Sequence, residues 1–352
     1  MALQVPPLLI GSIRVDPPGI LASLAGYTDL PYRLLCRSLD ATFCATEMML
    51  DRQLLLPGRL RNRLVHTDPA DHPVSGQIIG NDPAVMAKAA VELQKCGFDA
   101  VDMNFACPVR KVLQRHRGGY LMQDCDKTLE IIRAVTASVS IPVTVKIRMG
   151  FAATDVGSEH FWAIAEGGFD AGLAGLIIHA RTVEQRYTGK ADWEFLAKVK
   201  QHFADKVIVG SGDVTGPAAA ERMLQETGVN GVSFARAALG NPWIFRQFAD
   251  QLAGRPLYKP GLAEQRERLR RHFESVVELY GVRRGPKMMR KFGIKYARLH
   301  PTPGKVRAAF IGVRTGSQWR AILDEFYSDD FDASAITDAP GITTEDDVSE
   351  EE

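Results

Sequence analysis

The chain has 352 residues, 45% of them hydrophobic, and its 43 basic and 42 acidic side chains leave a net charge of +1. That length and composition suit a large buried core and exclude a fibrous or wholly disordered chain. No apolar run approaches the roughly 20 residues of a membrane span, and five cysteines without a CxxC pair argue against a zinc site or a secreted disulfide framework. Residues 1–7 lack the basic and apolar regions of a signal peptide. A reducing cytoplasm is therefore the expected compartment, with no membrane, no metal and no protein partner inferable.

Eight apolar, β-branched-rich runs alternate with helical patterns through the first two thirds of the chain: 20–25, 42–47, 74–79, 100–104, 143–147, 175–179, 207–210 and 231–235. Helical periodicity is clearest over 83–96, 126–139, 192–202 and 217–226. Eight strands with crossover helices in about 250 residues predict an α/β fold of the (β/α)8 TIM-barrel type. A doubly wound sheet would not normally need eight strands, and no GxGxxG follows the first run.

In such a barrel the C-terminal ends of all strands face one cavity. The polar residues there are Gln77 on the third strand, Asn104 and Cys107 from the fourth, Lys146 and Arg148 from the fifth, His179 and Arg181 from the sixth, Ser211, Gly212 and Asp213 from the seventh, and Arg236 after the eighth. Cys107 belongs to the stretch 102–112, Asp-Met-Asn-Phe-Ala-Cys-Pro-Val-Arg-Lys-Val. A lone cysteine is more often a small buried hydrophobe than a catalyst. Here a proline stops the strand at once, which puts the thiol at a ligand-facing rim. The turns Gly210-Ser211-Gly212-Asp213 and Ala235-Arg236-Ala237 each lead into a helix, and barrels often hold phosphate at such turns.

Asn104-x-x-Cys107-Pro108-x-x-Lys111-Val112 resembles the active-site loop of the tRNA-dihydrouridine synthases, flavin enzymes that reduce uracil bases in RNA. His179-Ala180-Arg181-Thr182, followed by Gln185-x-Tyr187-x-Gly189-x-Ala191-Asp192-Trp193, is a second long match, and Gly240-Asn241-Pro242-Trp243 closes the set. The resemblance implies FMN as cofactor and NADPH as reductant. It implies that Ala22, Leu24, Gln77, Lys146 and His179 hold the flavin, the turns after the seventh and eighth runs adding Ser211, Gly212, Asp213, Ala235 and Arg236 for its phosphate, with Cys107 giving a proton to uracil C5 while reduced FMN gives a hydride to C6. Asn104, Lys146 and His179 complete the implied catalytic set. The chain departs from the family pattern at Ser23, Ala106, Gly119, Ala180, Ser211, Ala235 and Ala237, and a methyl group at Ala235 or Ala237 would crowd a phosphate that approaches the backbone.

After Trp243 the pattern turns wholly helical: 245–252, 263–280, 286–299, 305–314 and 318–326. The expected organisation is a catalytic barrel over 1–245, a helical RNA-binding domain over 246–327 and an acidic, disordered tail over 328–352. Between Arg255 and Arg320 stand 17 basic residues against four acidic ones, whereas Asp324 to Glu352 holds 12 acids and no base. So lopsided a segment attracts a polyanion. Transfer RNA is the expected partner, with Arg148, Arg181, Arg283, Arg284, Lys287, Arg290, Lys291 and Lys295 as contacts. Two other readings remain open from the residues: an FMN-dependent dehydrogenase of a free pyrimidine, and a non-catalytic RNA-binding barrel.

Overall fold

The computed structural model describes residues 3–156 and 158–328. The acidic stretch expected to be disordered lies, apart from Ser328, outside the described residues.

Eight parallel strands close into a barrel: β1 (Gly19–Leu21), β2 (Cys44–Ala45), β3 (Val74–Ile79), β4 (Ala100–Asn104), β5 (Val143–Arg148), β6 (Gly175–His179), β7 (Ile208–Ser211) and β8 (Gly231–Phe234). β1 pairs with both β8 and β2, and β2 with β3, which leaves no open edge. The first two strands are shorter than their apolar runs because side chains take over the backbone partners. Past Ala22 the Thr28 hydroxyl accepts from the Leu24 N–H at 3.0 Å and the Thr28 N–H donates to the Leu24 carbonyl at 3.1 Å, turning the chain. Past Ala45 the Thr46 hydroxyl accepts the Gln77 N–H at 3.0 Å.

The helices of eight or more residues are α1 (Leu30–Arg37), α2 (Pro83–Lys95), α3 (Cys125–Thr136), α4 (Glu159–Asp170), α5 (Trp193–His202), α6 (Pro217–Thr227), α7 (Ile244–Leu252), α8 (Leu262–Tyr280), α9 (Gly285–Tyr296), α10 (Pro303–Ile311) and α11 (Gly316–Phe326). Their starts follow local chemistry: Asp29, Asp82, Asp124 and Asp192 cap α1, α2, α3 and α5 by accepting a backbone N–H, and proline opens α2 and α6. α7 is the barrel's eighth crossover helix, since Phe245 and Phe248 pack edge-on against Phe234 of β8.

The barrel interior has two levels. Its floor is apolar, built from Ile20, Phe43, Ala100, Ile177 and Val209, and is plugged by Leu8, Ile10 and Val15 of a short antiparallel hairpin. Above it the inward side chains become polar, and that change of chemistry marks the site. The remaining helices, α8 to α11, dock beside the mouth through an aromatic cluster: Phe292 of α9 lies 5.1 Å from Tyr32 of α1, 5.3 Å from Tyr27 after β1 and 4.6 Å from His272 of α8. At Gly240, in the turn after β8, φ is +78° and an added Cβ would stand 2.2 Å from the Lys295 carbonyl oxygen, so α9 rests directly on that turn.

Candidate active site at the barrel mouth

Strand register sets the first layer. Asn104 is level with Lys146, Arg148 with His179, and His179 with Ser211, so the C-terminal ends of β4 to β7 deliver their polar side chains to one cavity of about 750 Å³. Leu24, Gln77, Asn104, Cys107, Lys146, Arg148, His179, Ser211, Gly212, Asp213, Ala235 and Arg236 all line it. Ala22 and Arg181 do not.

Gln77 is locked in one orientation: its carbonyl accepts from Asn104 Nδ2 at 2.7 Å and its Nε2 donates to Asp102 Oδ2 at 2.7 Å. The other Asp102 oxygen accepts from the Thr144 hydroxyl at 2.7 Å. Asn104 Oδ1 in turn accepts the backbone N–H groups of Ala106, at 3.1 Å, and Cys107, at 3.0 Å. Both ends of the Asn104 amide are thus engaged in the protein. Its visible work is to clamp the Cys107 loop. Gly119 donates to the Cys107 carbonyl at 3.0 Å, and a Cβ on it would come within 2.7 Å of Val183 and 3.1 Å of that same carbonyl. The loop is therefore packed from below as well.

Burial pushes the Cys107 thiol above its ordinary value against the opposing pull of the Val109 N–H and the Arg148 and Lys146 cations. It stays protonated at neutral pH. Burial lowers Lys146, with Asp102 beneath it acting the other way. Burial, reinforced by Arg148, Lys146, Arg181 and Arg236, drives His179 well below its usual range, so its imidazole is neutral.

The two arginines expected to meet RNA here are struts. Arg148, 2% exposed, donates to the carbonyls of Ala106 at 2.8 Å, Thr182 at 2.8 Å and Arg186 at 2.7 Å, tying the Cys107 loop to the loop after β6. Arg181, also 2% exposed, pairs with Asp213 at 2.6 Å and donates to Gly189 O at 2.7 Å, while Asp213 accepts the Ala191 N–H at 2.6 Å. Asp213 thus lines the cavity with its carboxylate already committed.

Three features escaped the sequence reading. Asp102 is the buried root of the polar layer, and its place two residues before Asn104 on the same strand face was a usable signal. Tyr187 lines the cavity with the Arg236 guanidinium 5.0 Å and the Arg148 guanidinium 5.7 Å from its ring centre. The hydroxyls of Ser23 and Ser233, both from lining residues, are buried without a hydrogen-bond partner.

Of the cations expected on the C-terminal helices, Arg283, Arg284, Lys287 and Arg290 are exposed, whereas Lys291 turns inward and stands 4.3 Å from the Tyr27 ring centre. Lys295 lies at the Gly240 turn, and Arg298 donates to the Ala237 carbonyl and reaches the cavity. Arg266, Arg270 and Arg271 are held in surface ion pairs with Asp324, Glu267 and Glu274. No helix among the described residues is long and apolar enough to cross a membrane, and no group of three or more His, Cys, Asp or Glu among them is placed to hold a metal ion.

Comparison with known proteins agrees with this geometry. The chain is 36% identical over 320 residues to tRNA-dihydrouridine synthase B of Xanthomonas campestris pv. campestris, covering 90% of this chain and 95% of that one. It is 35% identical over 322 residues to tRNA-dihydrouridine synthase B of Pseudomonas aeruginosa, covering 91% and 96%. Among solved structures a 2-naphthoyl-CoA reductase complex shares the fold, with a TM-score of 0.56, 12% identity, and coverage of 71% of this chain and 52% of that one. The family model described as dihydrouridine synthase matches residues 20–326, and the chain belongs to the dihydrouridine synthase family.

Proposed function

We propose that this protein reduces uridines in transfer RNA to 5,6-dihydrouridine with FMN bound in the barrel cavity and NADPH as the source of electrons. The observation that carries the reading is the position of Cys107, its loop fixed by Asn104 and Gly119 on the wall of the cavity that Lys146 and His179 also line. The names of the relatives supply the substrate class.

The residues present fit a flavin mononucleotide. The cavity lies within the roughly 300–1,000 Å³ that takes a cofactor-sized ligand. Ser233 and Ser23 offer buried hydroxyls without partners, and Lys146, Arg236 and Arg298 supply positive charge beside Ser211 and Gly212 for a phosphate and for the pyrimidine edge of the ring. Ala235 and Ala237 also line the cavity, and the arginine between them offsets the crowding that their methyl groups bring. When bound and reduced, the flavin supplies a hydride to uracil C6. Cys107 delivers the proton to C5 and is left as a thiolate beside Lys146 and Arg148, whose charges stabilise it. Neutral His179 donates or accepts a hydrogen bond at the base edge without adding charge. A uracil stacked in folded RNA reaches this mouth only if it is flipped out. The exposed cations of α9 hold the backbone around it, and a free pyrimidine would have no use for them.

Mapping dihydrouridine in RNA from cells with and without the gene, repeated with Cys107→Ala, tests the proposal. The variant keeps its flavin absorbance and binds RNA, but turnover falls about 100- to 10,000-fold. Wild-type turnover by the variant would remove Cys107 as the acid. The rate of the wild-type enzyme stays flat through neutral pH and falls only above the ordinary thiol value, because the acid must be protonated and burial raises its pKa. An alkaline limb below that value would contradict this assignment.

A further inference from the structure

Between β2 and β3 the chain makes an excursion that gives the catalytic cavity only Met48. Its short helix Arg59–Leu64 carries three arginines with two different fates. Arg61 faces the barrel wall, donating to the Leu54 carbonyl at 2.8 Å and pairing with Glu92 of α2 at 2.8 Å. Arg59 and Arg63, four residues apart and so on one face of the helix, enter no ion pair among the described residues. The Arg63 guanidinium lies 5.0 Å from the ring centre of Tyr280, the last residue of α8. On the same ring, 5.6 Å from its centre, lies the guanidinium of Arg284, which immediately precedes α9. One tyrosine thus gathers two arginines from parts of the chain more than 200 residues apart, no more than about 11 Å from each other by those two distances.

We propose that Arg63, with Arg59 beside it, and Arg284 form one phosphate-binding patch around Tyr280 that grips the backbone of substrate RNA outside the catalytic cavity. The proposal rests on the reading of the protein as an RNA-modifying enzyme and adds a contact surface on the barrel itself. Guanidinium groups bind phosphate oxygens through planar, paired donors, and stacking on a ring fixes that plane while leaving its edge for the anion. Exposed Arg283 and Lys287 flank Arg284 and extend the positive surface along the start of α9. Asp29 and Glu47 line the same crevice and oppose this charge in part. Asp29 is buried and hydrogen-bonded to Tyr280, and Glu47 accepts the Gly26 N–H, whereas Arg59, Arg283, Arg284 and Lys287 are exposed and keep the outer surface positive. The crevice at the patch, lined by Arg63, Tyr280 and Leu279 among others, shares no residue with the catalytic cavity. RNA held there is therefore bound at a second place, across the ends of β1 and β2 from the reacting base.

The test is the affinity of flavin-loaded full-length protein for unmodified tRNA transcripts, measured by fluorescence anisotropy across a series of KCl concentrations. Arg63→Ala and Arg284→Ala each weaken binding several-fold and reduce the slope of log affinity against log salt by about one, and the double variant by about two. Arg63→Lys, which keeps the charge, restores the slope. Arg133→Ala on α3 serves as the control and leaves both affinity and slope unchanged. Flavin absorbance and the thermal midpoint report folding in every variant. An unchanged slope in folded Arg63→Ala overturns the patch while the enzyme reading stands. A wild-type protein that binds tRNA without salt dependence, or leaves it unreduced with flavin and NADPH present, overturns the underlying reading and the patch with it.

Discussion

Arg148 at the barrel mouth and Arg290 on α9 carry the same guanidinium in opposite circumstances. Arg148 is 2% exposed and gives its donors to three carbonyls, whereas Arg290 faces solvent and joins no ion pair among the described residues. A buried cation is costly unless its donors are satisfied, so the mouth's arginines are first of all structural. An exposed cation keeps its hydration and its field, and is available to a phosphate. In this chain the cations that build the site and those left exposed on α9 are separate populations.

That separation can be broken most severely at Asp71, whose carboxylate pairs with Arg33 at 2.6 Å with both side chains buried. Asp71→Ala strands the Arg33 charge and costs about 3–5 kcal/mol in urea unfolding; a loss below about 1 kcal/mol would mean that the pair is not structural. Arg148→Ala comes next. Releasing the Cys107 loop from the loop after β6 lowers turnover about 100-fold through misplacement of the thiol, while the salt slope of RNA binding holds. A changed slope would return Arg148 to the RNA-contact set.

Asp29 sharpens the contrast through pH. Burial, helped by Glu47, raises its carboxyl from 3.8 to about 6. A raised folded-state value means that the stability it contributes is fully present below the unfolded value and is lost as pH rises through about 6. Asp29→Asn, which can still cap α1, flattens the urea midpoint against pH between 4 and 7, and an unflattened curve would show that the carboxyl titrates normally. Arg290→Ala acts in the opposite way to Arg148→Ala, reducing the salt slope by about one without touching flavin content. Arg270→Ala, which breaks surface pairs with Glu267 and Glu274, leaves the urea midpoint where it was.

The same contrast explains how far the sequence could be read. The barrel was legible because eight β-branched runs alternate with helical periods, and the cavity because polar residues recur at one end of those runs. The strand ends at Leu21 and Ala45 were not, because the hydroxyls of Thr28 and Thr46 compete with the ladder for backbone partners. The placing of Cys107, Lys146 and His179 on the cavity wall followed from strand order alone. The work of Asn104, Arg148 and Arg181 did not, because their partners are fixed only by the folded chain: Gln77 of the neighbouring strand and the Cys107 N–H for Asn104, and the loop residues Thr182 and Arg186, and Gly189 and Asp213, for the two arginines. Counting charges on α8 likewise could not reveal that Arg266, Arg270 and Arg271 are already paired.

The bare backbone contact at Gly240 has a consequence for how the protein can vary. With the Lys295 carbonyl 2.2 Å from where a methyl group would sit, any side chain at 240 must lift the end of α9 away from the turn after β8. Arg298, three residues beyond Lys295, would leave the cavity with it. A graft of C-terminal helices from a relative would therefore have to bring a matching bend after the eighth strand, since barrel and helical appendage meet where there is no side chain to adjust.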